Sequence, residues 1–228
     1  MGPVKKVSAK LSKLFNNLHV YQMKKYKAII FDLGAVILNI NYQNTIDEFT
    51  KIGVKNTATL YSKKVQTDLF NQIETGAISS NEFLKALQKE TNNSNIKQLE
   101  RVWNAMLLDL PEERLQLIKK LKNNHAIYLL SNTNAIHIHE FKKQLGNNKW
   151  LSFCKLFDKM YLSYELGLRK PDVKIFKYIL REQKLKAEEV FFIDDSPQHI
   201  ASAKKIGLHC HHLLDDEDII TLFPDIIL

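Results

Sequence analysis

Three apolar segments of this chain each end at polar residues that could take part in catalysis. Asp32 follows the first segment, Ser131 follows the second, and the pair Asp194 and Asp195 follows the third. Lys170 lies in a loop between the second and third segments. A carboxylate can attack phosphorus and hold the phosphoryl group as an aspartyl phosphate. This set of carboxylates, one hydroxyl and one ammonium therefore suits phosphoryl transfer, with Asp32 as the candidate nucleophile.

The three apolar segments are predicted to be strands of one parallel sheet. Each is a continuous apolar run without alternation, which is typical of a strand covered by helices on both faces. The segments are residues 28–31, 126–130 and 190–193. In open sheets of this kind, ligands bind at the carboxyl ends of the strands. The polar residues would then meet at one edge of the sheet.

Strands and helices alternate over the second half of the chain. Pro111 suits the first position of a helix, a helix from about Ala135 is expected to end at Gly146, and a further strand is expected at Met160. Helices are also expected to begin at Pro171 and at Pro197. This alternation predicts an α/β fold with a doubly wound parallel sheet.

Residues 41–108 have apolar positions at helical spacing and no strand pattern. Ser79 and Glu82 form a capping box before one of these helices. We expect this segment to be an all-helical cap domain, inserted into a core domain of residues 23–40 and 109–228. Its aromatic residues are expected to be core residues and not substrate contacts: Tyr61, Phe70, Phe83 and Trp103. Residues 1–22 are expected to be an N-terminal extension, with Met23 as a possible natural start.

Four motifs, taken together and in order, resemble those of the haloacid dehalogenase (HAD) superfamily. They also resemble, more narrowly, the helical-cap phosphatases of the glucose-1-phosphatase type, which act on sugar phosphates. The motifs are Phe31-Asp32-Leu33-Gly34, Leu130-Ser131-Asn132-Thr133-Asn134, Gly167-Leu168-Arg169-Lys170-Pro171 and Phe192-Ile193-Asp194-Asp195. The resemblance covers roughly residues 25 to 215 and implies a Rossmann-like core with an inserted cap.

The resemblance implies a Mg²⁺-dependent hydrolase of small phosphomonoesters, most simply sugar phosphates. Because the Asp32 carboxylate repels a phosphate dianion, a counter-ion is required, and Mg²⁺ with its oxygen ligands meets that need. The implied ligands are the Asp32 carboxylate, the backbone carbonyl of Gly34 and the pair Asp194 and Asp195. By resemblance, Asp195 is the direct ligand and Asp194 its helper.

The implied phosphate contacts come from the second and third motifs. Ser131 would donate a hydrogen bond from its hydroxyl, and backbone N–H groups around Asn132 would complete the cradle. Lys170 would neutralise both Asp32 and the transferring group, which is the main contribution that a protein makes to phosphoryl transfer.

Gly34 stands where most phosphatases of this superfamily carry a second aspartate as general acid and base. A degenerate, non-catalytic relative that binds phosphate compounds is therefore one alternative. The sugar-phosphatase branch also has glycine there and is still a hydrolase, which keeps the enzyme ahead. A haloacid dehalogenase is the other alternative, but such enzymes need no metal, and Asp194-Asp195 argues against it. His199 stands where that branch tends to have asparagine.

Composition limits the partners and the compartment. The formal charge is +8, but residues 1–22 hold four lysines and no acidic residue, so the rest of the chain carries only +4. The sequence has no compact basic patch with aromatic residues, so nucleic acid is not expected as a partner. No apolar run reaches the ~20 residues of a membrane span, so a membrane is not expected either. Two cysteines, Cys154 and Cys210, are too few for a disulfide framework. We expect a cytoplasmic protein; the oligomeric state stays open.

Two further patterns receive an interpretation. The turn Glu74-Thr75-Gly76-Ala77 is expected to be a specificity loop, since glycine lets the chain bend toward the active edge. The run His209-Cys210-His211-His212 is expected to be an ordinary edge strand and not a zinc site, because alternate side chains of a strand face opposite ways. His137 and His139 follow the second motif and could approach the mouth of the site, although histidines in such a place more often only decorate a helix.

Overall fold

The structure is a computed structural model that describes residues 25–54, 68–91 and 94–224. Its five strands form one parallel sheet in the order β3-β2-β1-β4-β5. The strands are β1 Ala28–Phe31, β2 Ala126–Ser131, β3 Lys159–Leu162, β4 Val190–Asp194 and β5 His209–His212. The prediction of a doubly wound parallel sheet is confirmed. The expected N-terminal extension and Tyr61 lie outside the described residues.

The strand register determines which residues meet at the carboxyl edge. Phe31 at the end of β1 pairs with Leu129 of β2 on one side and with Ile193 of β4 on the other. Asp32 and Asp194 each follow one member of the Phe31–Ile193 pair, so they lie at the same level. The chain runs outward from β1 to β3 and then crosses back to β4. A crevice at such a reversal of strand order is where doubly wound sheets bind ligands.

Both faces of the sheet are buried, which explains the continuous apolar runs. Ile29 and Phe31 belong to one core cluster, whereas Ala28 and Ile30 belong to the other, and all four are inaccessible to solvent. The helices after the insertion are α5 Glu112–Leu121, α6 Ala135–Cys154, α7 Ser163–Leu166, α8 Val173–Glu182 and α9 Pro197–Lys204. Short 3₁₀ turns lie at Asn104–Met106, Ala187–Glu189 and Ile219–Leu222.

A helical segment separates β1 from α5. Its described α-helices are α1 Tyr42–Lys51, α2 Asp68–Glu74, α3 Ser80–Glu90 and α4 Ile96–Trp103. They enclose an aromatic cluster in which the Trp103 ring lies 5.2 Å from Phe70 and 5.0 Å from Phe83. These aromatic residues are buried, as predicted. The capping box is confirmed as well: Ser79 N–H donates to Glu82 Oε2 at 2.8 Å. That residues 41–108 form a separate cap domain stays a prediction.

The predicted end of a helix at Gly146 is confirmed, because the backbone leaves helical geometry there (φ 72°, ψ 160°). A second helical stretch follows this kink and runs to Cys154, and α6 comprises both stretches. The residues beyond the kink turn their rings back onto Phe141, which lies 5.9 Å from Trp150 and 5.3 Å from Phe153 between ring centroids. The two stretches therefore pack against each other on either side of the kink at Gly146.

No helix in the described ranges has both the length and the apolar character that crossing a bilayer would require.

Candidate active site

Lys170 is a fully buried charged residue at the carboxyl edge of the sheet. It is inaccessible to solvent, and its Nζ lies 2.9 Å from Asp32 Oδ1 and 2.6 Å from Asp194 Oδ2. Nζ also donates to the carbonyl of Leu130 at 2.9 Å. An ammonium has three N–H donors, so these three acceptors use all of them. Burial opposes the charged form, but the charges of Asp194 and Asp32 outweigh it and raise the pKa of Lys170. The lysine is therefore a fixed cation.

Asp194 is fully occupied by contacts within the protein. Besides the Lys170 ion pair, its Oδ1 accepts from the backbone N–H of Ser196 at 2.8 Å and lies 2.9 Å from His199 Nδ1. Burial alone would raise the pKa of Asp194, but Lys170 and His199 lower it to about 2. Asp194 therefore holds Lys170 and His199 in place, and the neighbouring Asp195 is the better candidate for contact with a metal.

Asp32 is surrounded by more negative than positive charge. Burial raises its pKa, Lys170 opposes this, and the charges of Asp194 and Asp195 add to it, with a net value of about 8. One ammonium thus balances three carboxylates only in part. A divalent cation would supply the missing charge and keep Asp32 ionised at neutral pH.

The groups present fit a magnesium ion by their chemistry. Asp32, Asp195 and the Gly34 carbonyl offer oxygen donors, which Mg²⁺ prefers. Among the described residues, ligand atoms of Asp32, Asp194 and His199 also lie within 4.8 Å of one another. The contacts of Asp194 and His199 with each other make them supports for such a site.

A cavity of about 280 Å³ opens over these groups. Asp32, Ser131 and Asp195 line its floor, together with Asn132. The Asn132 side chain also joins the backbone of Lys170: its Nδ2 donates to the Lys170 carbonyl at 2.8 Å, and its Oδ1 accepts from the Lys170 N–H at 2.9 Å. Asn132 therefore supports the lysine loop as well as lining the cavity. The roles predicted for these residues stay predictions.

Gly34 has no room for a side chain without a local shift. A Cβ at this position would lie 2.9 Å from Ile40 Cδ1, and both residues line the cavity. The place of the missing second aspartate is thus taken by the end of an apolar side chain. The following residue, Ala35, has φ 60°, so the chain turns sharply out of the site here.

The helical segment supplies the other side of the cavity. Tyr42 from α1 and both Asn71 and Glu74 from α2 line it, opposite the sheet edge. Arg169, which precedes Lys170, reaches toward α2: its Nη2 lies 2.8 Å from Glu74 Oε2, and its Nη1 donates to Asn71 Oδ1. The segment and the lysine loop are therefore joined beside the cavity.

Sequence reasoning missed Arg169 and Tyr42 as residues of this cavity. Arg169 stood inside a quoted motif, one position before the lysine, and that position was the available signal. Tyr42 had no comparable signal, because it stands among polar residues at the start of α1. Glu74 was predicted as part of a specificity loop, and the structure places it in the cavity wall.

The histidine run forms β5 at the edge of the sheet, as predicted. His211 Nε2 lies 3.1 Å from Glu217 Oε2, whereas His212 Nε2 lies 3.1 Å from the backbone oxygen of Asp195. These side chains point to different partners. Within the described ranges they belong to no cluster of metal-ligating groups.

Comparisons with known proteins give the family. Residues 26–207 match the model of the haloacid dehalogenase-like hydrolases. A curated D-ribitol-5-phosphate phosphatase from Bacteroides thetaiotaomicron is 30% identical over 79% of this chain and 88% of its own length. A sesquiterpene phosphatase from Aspergillus oryzae is 27% identical over 83% of this chain and 91% of its own length.

A solved structure is similar over nearly the whole described fold. It is a crystal structure of a HAD-family enzyme from Bacteroides thetaiotaomicron, a single-residue variant in complex with magnesium and inorganic phosphate. It is 32% identical, with a TM-score of 0.81, over 87% of this chain and 98% of its own. The resemblance stated from the motifs is thereby confirmed: the chain belongs to the haloacid dehalogenase-like hydrolase family.

Proposed function

We propose that this protein is a Mg²⁺-dependent phosphatase that hydrolyses small phosphomonoesters, sugar or polyol phosphates, through an aspartyl phosphate on Asp32. One observation carries the proposal: Lys170 Nζ lies 2.9 Å from Asp32 Oδ1 at the floor of a cavity that Ser131 and Asp195 also line. The prediction of a phosphatase is confirmed by the curated relatives, which are named as phosphatases. The predicted magnesium agrees with the similar structure, which holds magnesium and inorganic phosphate.

The contacts of Asp32 separate its two oxygens. Oδ1 accepts from the backbone N–H of Leu33 at 2.7 Å and contacts Lys170. This holds the carboxylate in one orientation and leaves Oδ2 to attack phosphorus. As the bond from Oδ2 to phosphorus forms, the ester P–O bond breaks and the alcohol leaves with a proton from water. A water molecule then attacks the aspartyl phosphate, which releases inorganic phosphate and restores the Asp32 carboxylate.

The remaining residues bind and balance charge. Ser131 donates its hydroxyl to a phosphate oxygen, and Lys170 balances the transferring group and Asp32. When bound, Mg²⁺ supplies the positive charge that lets a phosphate dianion approach a carboxylate. Asp32, Asp195 and the Gly34 carbonyl would hold it, while Asp194 fixes Lys170. Such preorganised charge is the main source of catalysis in phosphoryl transfer.

Two other functions are less well supported. A metal-free dehalogenase has no use for a third buried carboxylate at Asp195, which is only 9% exposed. A non-catalytic relative, suggested by Gly34, would not need a lysine whose three donors are all fixed on Asp32, Asp194 and Leu130.

We also propose the arrangement and compartment expected from the sequence. Residues 41–108 act as a cap over the core of residues 23–40 and 109–228, and the α2 contacts with Arg169 support this. Cys154 and Cys210 are both free thiols, as is typical of a reducing compartment, which supports a cytoplasmic location. The mildly basic remainder of the chain still argues against a nucleic-acid substrate.

The test is hydrolysis of a panel of phosphate esters, an aryl phosphate and several sugar and polyol phosphates, with Mg²⁺ and with a chelator. We expect turnover of at least one polyol or sugar phosphate with Mg²⁺ and no measurable turnover with the chelator. Asp32→Asn removes the nucleophile and should abolish turnover of every ester.

A matched control is Asp47→Asn, the same change at an exposed position of α1. It should leave turnover within about twofold of the wild type, because Asp47 lies outside the cavity. Turnover that persists in Asp32→Asn, or that ignores the chelator, contradicts the proposal.

A further inference from the structure

The cavity has two chemically different ends. The floor carries the candidate catalytic groups, Asp32 and Asp195 among them, and it would receive the phosphate. The α2 side carries Asn71 and Glu74, with Arg169 beside them. A phosphate ester bound at the floor therefore has its alcohol portion facing a second set of polar groups.

The groups at the α2 end are fixed in place by one another. Glu74 is only 5% exposed, yet its Oε2 lies 2.8 Å from Arg169 Nη2. Arg169 Nη1 donates to the amide oxygen of Asn71, so one guanidinium holds both α2 side chains. Arg presents its donors in a rigid fork, which makes it suitable for this double contact. The polar end of the cavity is thus preorganised.

The negative charge of Glu74 indicates which part of a substrate the α2 end of the cavity binds. A carboxylate repels a phosphate dianion, and Glu74, unlike Asp32 and Asp195, is not among the residues that would hold Mg²⁺ to offset this repulsion, so it is unsuited to the phosphate itself. A carboxylate has about four acceptor sites, so Glu74 can accept hydrogen bonds from hydroxyl groups of a ligand in addition to its contacts within the protein. Hydrogen bonds to charged groups are among the stronger ones in proteins.

Charged groups at both ends of the cavity act on the hydroxyl of Tyr42. Burial of its hydroxyl raises its pKa well above the usual value, and the charges of Asp195, Asp32 and Glu74 add to this. Tyr42 therefore remains a neutral hydroxyl that can donate and accept along the cavity wall. An alcohol with several hydroxyls would find partners from the floor to α2.

We infer that Glu74 and Asn71, held by Arg169, are specificity-determining residues that bind the hydroxyl groups of a small polyhydroxylated leaving group. The inference rests on the proposed phosphatase function and narrows its substrates. An apolar alcohol would exclude water from the Glu74–Arg169 pair without giving it new hydrogen bonds, which is costly. The structure therefore favours polyol or sugar phosphates over isoprenoid phosphates, the two kinds of ester that the relatives' names suggest.

The experiment compares kcat/KM for three esters: a polyol phosphate, a prenyl phosphate and an aryl phosphate without hydroxyl groups. The wild type should prefer the polyol phosphate over the prenyl phosphate. Glu74→Gln keeps the size of the side chain and removes its charge, so the ratio of kcat/KM for polyol over aryl phosphate should fall about 10- to 100-fold. Asn71→Ala should lower the same ratio by a smaller factor.

The ratio is measured on a single sample, so it does not depend on how much of a variant is folded. Glu48→Gln is the matched control, since Glu48 lies on α1 outside this cavity and pairs with Lys51 at 2.6 Å. Its ratio should equal that of the wild type. A wild type that prefers the prenyl phosphate, or a Glu74→Gln ratio within twofold of the wild type, overturns the inference and leaves the phosphatase intact. A wild type that hydrolyses none of the three overturns both.

Discussion

At the scale of single residues, charge balance around Lys170 governs the site. The ammonium has no exposure to solvent and contacts two carboxylates, Asp32 and Asp194. Removing one partner of a buried ion pair leaves the other charges uncompensated, which typically costs about 3–5 kcal/mol. The same side chain is thus required for stability and for the proposed chemistry.

Lys170→Met should lower kcat on any phosphate ester by at least about 10³-fold and lower the free energy of unfolding by about 3 kcal/mol. Methionine fills similar space but cannot neutralise Asp32 or the transferring group. Steady-state kinetics and urea denaturation measure the two effects. Lys174→Met, at an exposed position of α8, should change neither. A variant at position 170 with near-normal turnover would remove Lys170 from the mechanism.

At the scale of elements, the turn between α2 and α3 approaches α7 at backbone distance. Gly76 has φ +67°, and a Cβ there would collide with the carbonyl oxygen of Tyr164 in α7. Position 76 therefore requires glycine for two reasons: its left-handed backbone conformation and its close approach to the Tyr164 carbonyl. The turn follows Glu74 directly, so its position also sets the α2 end of the cavity.

Gly76→Ala should displace this turn and lower kcat/KM for a polyol phosphate by about tenfold, with a loss of stability of about 3 kcal/mol. Gly53→Ala is the matched control, because Gly53 also has a positive φ (+87°), but a Cβ added there would meet no atom of the described residues within 4 Å. That variant should show only the strain of the left-handed conformation, about 1–2 kcal/mol, with kcat/KM unchanged. Equal effects at both positions would mean that the approach to Tyr164 is unimportant.

The strands and helices also show which parts of the fold and the site could be predicted from the sequence. Asp32, Ser131 and Asp194 follow strands whose apolar runs are visible, so their meeting at one edge was predictable. Arg114 stands among lysines and glutamates, a sequence pattern that is typical of a solvated helix face. In the structure it is 8% exposed and donates to Asp218 Oδ2 at 2.8 Å. That partner is 104 residues away, and no local pattern indicates such a contact.

The pairing of Arg169 with Glu74 was unpredictable for the same reason. It depends on how α2 lies over the loop before Lys170, and helical periodicity gives the buried face of a helix but not its neighbour across a cavity. Gly146 shows the opposite case: glycine is a local signal for a helix end, and the backbone does leave helical geometry there (φ 72°, ψ 160°).

At the scale of the whole molecule, a buried histidine joins the helical segment to the core. His137 on α6 stacks on Trp103 of α4 at 4.7 Å between ring centroids, and its Nε2 lies 3.1 Å from the Trp103 carbonyl oxygen. Its Nδ1 lies 3.2 Å from Asn134 Nδ2. With a proton on Nε2 and none on Nδ1, both contacts are satisfied. Burial lowers the pKa of His137 to about 4, which agrees with this neutral form.

This pKa predicts how stability depends on pH. The folded pKa of about 4 lies below the unfolded value of 6.5, so the contribution of His137 is complete above pH 6.5 and is lost as the pH falls toward 4. The loss should reach about 3 kcal/mol. Urea denaturation at pH 7.5 and pH 4.5 should show a smaller decrease for His137→Gln than for the wild type, with His139→Gln behaving as the wild type. An identical decrease in all three would exclude His137 as the source.

The clamp that Asn132 places on the backbone of Lys170 constrains how this enzyme can diversify. Arg169 directly precedes Lys170, whose backbone and ammonium are both fixed by hydrogen bonds. A substitution at position 169 should therefore displace Lys170 and lower turnover. Positions 71 and 74 lie on α2 and are not joined to Lys170, so substitutions there should disturb turnover less. Divergence toward new alcohols, in evolution or in the laboratory, should therefore begin in α2, with residue 169 changing last.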